Sequence, residues 1–165
     1  MVEHLTFNQG VVGSIPTGVT KSYFMNNNDK NLEILSALFE LAKRHERTFR
    51  AQTVSAVVYK KSILFIGQNS KKTHPLQKAF GNHFYSIYMH AEAAAIIKAK
   101  KYLSEKQLTK STLFVVRAKM DNDGKYHWGM ARPCPSCVKI AKEFGLSKVV
   151  YTLEGTGNYS LERIK

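Results

Sequence analysis

The sequence predicts an α/β layered fold, a single domain over residues 1–165, and three observations lead to it. Leu32, Ile34, Leu35, Leu38, Phe39 and Leu41 recur at helical spacing. Two β-branched apolar runs, "VSAVVYK" and "SILFIGQN", follow. Beyond them helical and strand patterns alternate, giving the order β-β-α-β-α-β after the first helix, and such an order layers helices on a sheet.

Residues 1 to about 28 are rich in Gly, Asn, Ser and Thr and form an irregular N-terminal segment, closed by "FMNNND", a helix-start signal. The first helix is expected at about 31–47, with Lys43 to Arg47 placing cations where the macrodipole favours them. The two apolar runs join around Lys60 and Lys61 as an antiparallel hairpin. Ser70 to Ser86, "SKKTHPLQKAFGNHFYS", has no period and contains a Pro and a Gly, so it reads as a loop of functional length. A second helix runs from about His90 to Leu103. "TLFVVRAKM" (Thr112 to Met120) is a buried strand and "DNDG" a turn. "CPSCVKIAKEFG" is a helix opened by Pro135 and closed by Gly145. "KVVYTLE" is a further strand, and the alternation in the tail after Gly-Thr-Gly favours a last strand hairpinned onto it.

The composition, 44% apolar and 22% charged, is that of a soluble globular protein long enough to bury a core without disulfide staples. There is no membrane-spanning run. The first twenty residues make a poor secretory signal, which points to the cytoplasm, of the host if the chain is phage-encoded. A net charge of +13 attracts polyanions and phosphorylated ligands, or is a solvated basic surface with no specific partner. The two cysteines, Cys134 and Cys137, stand three apart, which in a cytosolic chain reads as metal binding or redox chemistry before a disulfide.

A catalytic zinc commonly takes three protein ligands and keeps a fourth position open. His90, Cys134 and Cys137 are such a set, provided that the fold brings two helix starts together. The dipole and free N–H groups at a helix start stabilise thiolates, and a spacing of three puts both sulfurs on one side. Glu92 lies close to the same cavity without being needed as a ligand, so it can accept a proton and hand it on. Each piece alone is weak: a lone His at a helix start is usually a cap, and a lone CxxC is as often redox or half a zinc ribbon. Together, "HAE" at 90–92 and "PCPSC" at 133–137 match the H-x-E…P-C-x-x-C signature of zinc-dependent nucleobase deaminases.

Through these motifs the chain resembles the cytidine/deoxycytidylate deaminase superfamily over roughly residues 31–154, and in particular small deaminase-like proteins of the kind that bacteriophages encode. The resemblance implies a three-layer fold, a central mixed sheet of about five strands flanked by helices, and hydrolytic exchange of a ring amino group for oxygen. It assigns Zn2+ to His90, Cys134 and Cys137 and the proton shuttle to Glu92. It also suggests Asn69 as a contact to sugar or base, and the backbone N–H of Ala91 as facing the base carbonyl or ring nitrogen. Two features depart from the pattern. The insertion between Asn69 and His90 is longer than in tRNA adenosine deaminases. The tail is short for the helix and parallel fifth strand of many polynucleotide and deoxycytidylate deaminases, and a hairpin there is closer to the free-nucleoside enzymes.

Three substrates compete. A free cytidine or deoxycytidine nucleoside or nucleotide is favoured by the small domain and short tail. Cytosine in single-stranded DNA or RNA is favoured by the charge and by Phe80, Phe84, Tyr85 and Tyr88, with Trp128 nearby, because bases stack on aromatics; such residues as often pack against their own domain. Adenine in tRNA comes third. Arg132 either meets a phosphate or is an exposed loop arginine. A metal-stabilised nucleic-acid-binding module with a silent site is the alternative from another class, and intact Glu92 argues against it. Homo-oligomers are common in the family.

Overall fold

The computed structural model describes residues 30–45, 52–81 and 88–164. Helix α1 (Lys30–Arg44) buries Ile34, Leu35, Leu38, Phe39 and Ala42, the stripe that the helical spacing marks, with Glu33 in its first turn and Lys43 and Arg44 in its last. Each of the large side chains contributes roughly 1.5–3 kcal/mol by leaving water. Residues 46 and 47 of the expected helix, like the N-terminal segment at 1–28, lie outside the described residues.

Strands β1 (Gln52–Tyr59) and β2 (Ser62–Gln68) form the expected antiparallel hairpin. Lys60 and Lys61 make its two-residue turn with φ of 50° and 66°, the left-handed pair whose twist suits a tight hairpin. Next come β3 (Ser70–Thr73), α2 (Pro75–Phe80), β4 (Tyr88–Met89), α3 (Ala91–Tyr102) and α4 (Glu105–Leu108). The chain continues through β5 (Thr112–Met120), β6 (Tyr126–Gly129), α5 (Pro135–Glu143), β7 (Lys148–Thr152) and β8 (Tyr159–Arg163).

The sheet has six strands in the order β2-β1-β5-β7-β8, with β6 hydrogen-bonded to β5 beside this path. It is mixed, because β5 and β7 are parallel and the other pairs antiparallel. The last strand is the antiparallel hairpin partner read from the tail, with Thr152 opposite Tyr159. Against the expected five strands, the sixth is β6, which folds back on β5 through the Asp121–Gly124 turn. There the Asp121 carboxylate accepts from the N–H groups of Asp123 and Lys125 at 3.0 and 2.8 Å.

The aperiodic stretch at 70–86 also differs from expectation. It contains β3, paired with β4 in a separate two-stranded sheet, and the short helix α2, capped by His74, whose Nδ1 accepts from the Leu76 N–H at 3.1 Å. Alternation along each strand divides the core in two. Val54, Ala56, Val58, Phe114, Val116, Ala118 and Val150 face α1. Val57, Leu113, Val115, Val149 and Tyr151 face α3 and α5, whose Ala93, Ala95, Ile96, Ala99, Ile140 and Ala141 cover them.

Candidate metal and active site

Both helices on that second face begin at the same end of the sheet, the end where the parallel strands β5 and β7 have their C-termini. Open α/β sheets place their ligands there. His90 is the residue before α3 and Cys134 the residue before α5. Neither side chain caps its own helix, so both are available to each other. The His90 Nδ1 lies 3.5 Å from Cys134 Sγ and 3.3 Å from Cys137 Sγ, and the three donor atoms fall within 4.8 Å of one another. A tetrahedral zinc with ordinary bonds to nitrogen and sulfur holds such atoms about 3.6 Å apart. One imidazole nitrogen and two sulfurs at that spacing, with Cys137 buried and the other two half-buried, fit a zinc ion with a position left for a small molecule.

Hydrogen bonding and burial set the protonation of these groups. The hydrogen bond from Cys137 holds the Cys134 thiol down to about 4, with His90 adding to the effect against the cost of burial. As the donor to Cys134, and buried beside Glu92, Cys137 is pushed up and keeps its proton. His90 is raised, first by its hydrogen bond with Cys134. Glu92, 6% exposed in the first turn of α3, is raised chiefly by burial, against the pull of its own backbone N–H. A carboxyl pushed up in this way holds a proton more readily than an exposed glutamate does, which suits a group that must give a proton as well as take one.

Three further contacts fix the two helix starts. On β2, Gly67 lies directly beneath the first turn of α3: a Cβ there would overlap the Ala91 carbonyl oxygen and the Ala95 nitrogen. Close approach, not a left-handed backbone, is what requires glycine here. On α2, the fully buried Gln77 accepts the His90 backbone N–H through Oε1 at 3.3 Å. On β7, buried Thr152 donates from Oγ1 to the Gly129 carbonyl at 2.7 Å, while its own carbonyl accepts from the Ala131 N–H at 2.9 Å. The loop that carries Cys134 is thereby clipped to the sheet.

The remaining candidates divide. Asn69, at the end of β2, is on the same side, its Oδ1 accepting from the Thr53 N–H at 3.0 Å and its carbonyl 3.0 Å from His45 Nε2. Ala91 is buried at the start of α3, where the N–H groups of the first turn have no partner within the helix. Tyr88 is 43% exposed on β4, two residues before His90. Arg132 is bound instead to the last strand, its Nη2 3.3 Å from Glu162 Oε2, and Glu162 also accepts from the Tyr151 hydroxyl at 2.6 Å.

Trp128 does not reach the site. It is 2% exposed on β6, opposite Ala118, and packs against Phe39 of α1 at 6.1 Å on the other face of the sheet. A ring enclosed in this way offers no face for a base to stack on. Of the loop aromatics, Phe80 packs against the core beneath α3 and α5, and Phe84 and Tyr85 lie outside the described residues. Gln77 and Thr152 were not among the candidates. Gln77 had a signal in the His-Pro pair at 74 and 75, a cap followed by a first-turn proline.

Residues 28–153 match the family model described as the cytidine and deoxycytidylate deaminase zinc-binding region. Among solved structures, the chain is similar to the apo dCMP deaminase of the cyanophage S-TIM5, at 24% identity and a TM-score of 0.46, covering 79% of this chain and 86% of that one. The same phage enzyme in complex with dCMP and dUMP is 23% identical over 79% of this chain and 85% of that one, with a TM-score of 0.46. Acinetobacter baumannii RibD is 18% identical with a TM-score of 0.44, over 75% of this chain but 28% of its own. No curated protein matches the chain. The family match spans most of the sequence and contains His90, Glu92, Cys134 and Cys137, so the chain belongs to the cytidine and deoxycytidylate deaminases, zinc-binding hydrolases that act on C–N bonds.

Proposed function

We propose that the protein hydrolyses the exocyclic amino group of a cytosine mononucleotide, consuming water, releasing ammonia and leaving uracil. The observation that carries this reading is the cluster of His90 Nδ1, Cys134 Sγ and Cys137 Sγ within 4.8 Å, with the buried carboxyl of Glu92 two residues from the histidine. When bound, zinc supplies Lewis acidity and brings the pKa of water down to about 7. Glu92 takes the first proton of the attacking water and gives it to ring nitrogen N3, then takes the proton left on the new C4 hydroxyl and gives it to the departing amine, so that uracil and ammonia account for both protons of the water. Its raised pKa suits a group that must be charged to accept and neutral to give. In this reading Asn69 holds the sugar or base, supported by its bond to Thr53 at the end of the sheet where α3 begins, and the Ala91 N–H faces the base carbonyl or ring nitrogen. Tyr88 borders the entry.

Cytosine in single-stranded DNA or RNA is the second reading, supported by the charge of +13 and by half-exposed Tyr88. Burial of Trp128 takes away part of its support. The antiparallel β8 favours a free substrate over a polynucleotide and by itself is closer to the nucleoside enzymes; the charge of +13, which draws phosphorylated ligands, favours the monophosphate among the free substrates. The test is ammonia release, with product masses, from cytidine, deoxycytidine, their monophosphates and single-stranded oligonucleotides. The monophosphates are expected to give the highest kcat/KM, with weak salt dependence. Turnover of oligonucleotides alone, with binding that falls steeply as salt rises, would replace this reading by the second.

A further inference from the structure

We propose that Arg117 is the specificity residue of this site, its guanidinium receiving the phosphate monoester of the substrate. The inference rests on the reading of the site as a nucleotide deaminase centre and adds the residue that distinguishes nucleotide from nucleoside.

Position comes first. Leu113 and Val115 of β5 point into the core beneath α3 and α5, so by alternation Arg117 points to the same face. Beneath the first turn of α3, Gly67, Ser55 and Val115 lie in one row across β2, β1 and β5. Two residues further along is the next row on that face: Asn69 bonded to Thr53, Thr53 opposite Arg117, and Arg117 opposite Gly129. Two residues of strand advance about 7 Å. α3 runs back over β2 from this end, with Lys98 Nζ bonded to the Ile66 carbonyl and Tyr102 stacked on Phe65. Arg117 therefore stands beyond the helix starts that carry His90 and Cys134, in line with Asn69, where the part of a nucleotide furthest from the reacting amine would lie.

The chemistry of the side chain points the same way. Its stem lies along β6, where a Cβ at Gly129 would come within 3.3 Å of Cδ and 3.4 Å of Cγ, so glycine makes room for it. Its Nε is buried with no hydrogen-bond partner. The carboxylates nearby are engaged elsewhere: Glu162 with Arg132 and Tyr151, Glu154 with Lys119 and the Met130 N–H, Glu92 with the metal cluster. Among the described residues no carboxylate pairs with Arg117. A neutral nucleoside closing over this permanent cation would leave its charge unmatched, which is costly. A phosphate monoester matches it with two charge-assisted hydrogen bonds in the fork geometry that guanidinium favours.

The test compares deoxycytidylate with deoxycytidine on zinc-loaded wild type, Arg117→Ala and Arg117→Lys, with zinc content and Tm checked for each. Arg117→Ala is expected to lower kcat/KM for the nucleotide by about 10²-fold, mostly through KM, and to leave the nucleoside within about 3-fold. Arg117→Lys should recover part of the loss. An equal fall on both substrates would mean a structural role and overturn the inference, as would an unchanged ratio. If wild type turns over neither, the mononucleotide reading fails, and calorimetric binding of the two compounds decides about Arg117. A phosphate-dependent affinity lost in Arg117→Ala supports its role, and equal affinity for both compounds in wild type ends it.

Discussion

Gly67 and Ala91 touch backbone to backbone: no side chain separates β2 from the first turn of α3, and a single methyl at Gly67 would collide with the Ala91 carbonyl. His90 and Glu92 flank that contact in sequence, so the separation of helix and sheet also sets the height of the metal cluster. Because the colliding atoms are backbone, Gly67→Ala should shift α3 as a body and cost about 1–3 kcal/mol by overpacking. Thermal unfolding and zinc content check it: a lower Tm with weakened zinc retention is expected, and a variant with both intact would show that the contact has slack.

Gln77 supports the same histidine from the other side. Gln77→Met keeps volume while removing the acceptor for the His90 N–H, so zinc affinity is expected to fall about 10–100-fold, as for other groups that orient metal ligands. The loss of stability should be smaller, because Gln77 Nε2 is buried without a partner and its removal offsets part of the lost bond. Competition with a chromophoric chelator measures the affinity.

Metal removal should destabilise the chain as well as silence it, because the ion would tie Cys134, Cys137 and half-buried His90 together across two helix starts. A strong chelator is expected to lower Tm and zinc to restore it. With the Cys134 thiol already down at about 4 and the Cys137 thiol raised, Cys137 is the ligand that must give up a proton on zinc uptake. Affinity therefore rises with pH, and calorimetry in buffers of different ionisation enthalpy counts the protons.

Tyr151 carries a pH dependence of stability at the alkaline end. Burial first, and then its hydrogen bond to Glu162, hold its phenol above the ordinary value of 10.0. The folded state thus keeps a proton that the unfolded chain gives up. Its contribution is full below about pH 10 and is lost as pH rises through the folded value. In denaturant titrations at rising pH, Tyr151→Phe should show a shallower alkaline loss than wild type.

How much of this was legible in the sequence follows from which interactions repeat locally. α1, the β1–β2 hairpin and α5 announce themselves because their buried residues follow the period of their own element. His90, Cys134 and Cys137 were legible because metal chemistry restricts both residue type and spacing. α2 was missed for a physical reason: its buried residue is Gln77, a polar side chain held by a contact to His90 that lies 13 residues away, so no apolar period exists to find. β6 was missed because it has four residues, and Trp128 within it looked like a loop aromatic until Phe39 of α1 closed over it. Arg132 next to the cysteines was a reasonable phosphate candidate, and only the return of β8 brings Glu162 to it.

Glu92→Gln separates a hydrolytic deamination centre, in which the zinc cluster and Glu92 act together, from a metal site that only holds the fold. The substitution keeps the size of a side chain whose burial already favours the neutral form, so fold and zinc content should match wild type. Measured side by side on deoxycytidylate, wild type is expected to release ammonia in step with deoxyuridylate, and Glu92→Gln to lose on the order of 10²–10⁴-fold in kcat while holding its zinc. Wild-type turnover in the zinc-loaded variant, or no ammonia from wild type on any cytosine substrate, would contradict the account.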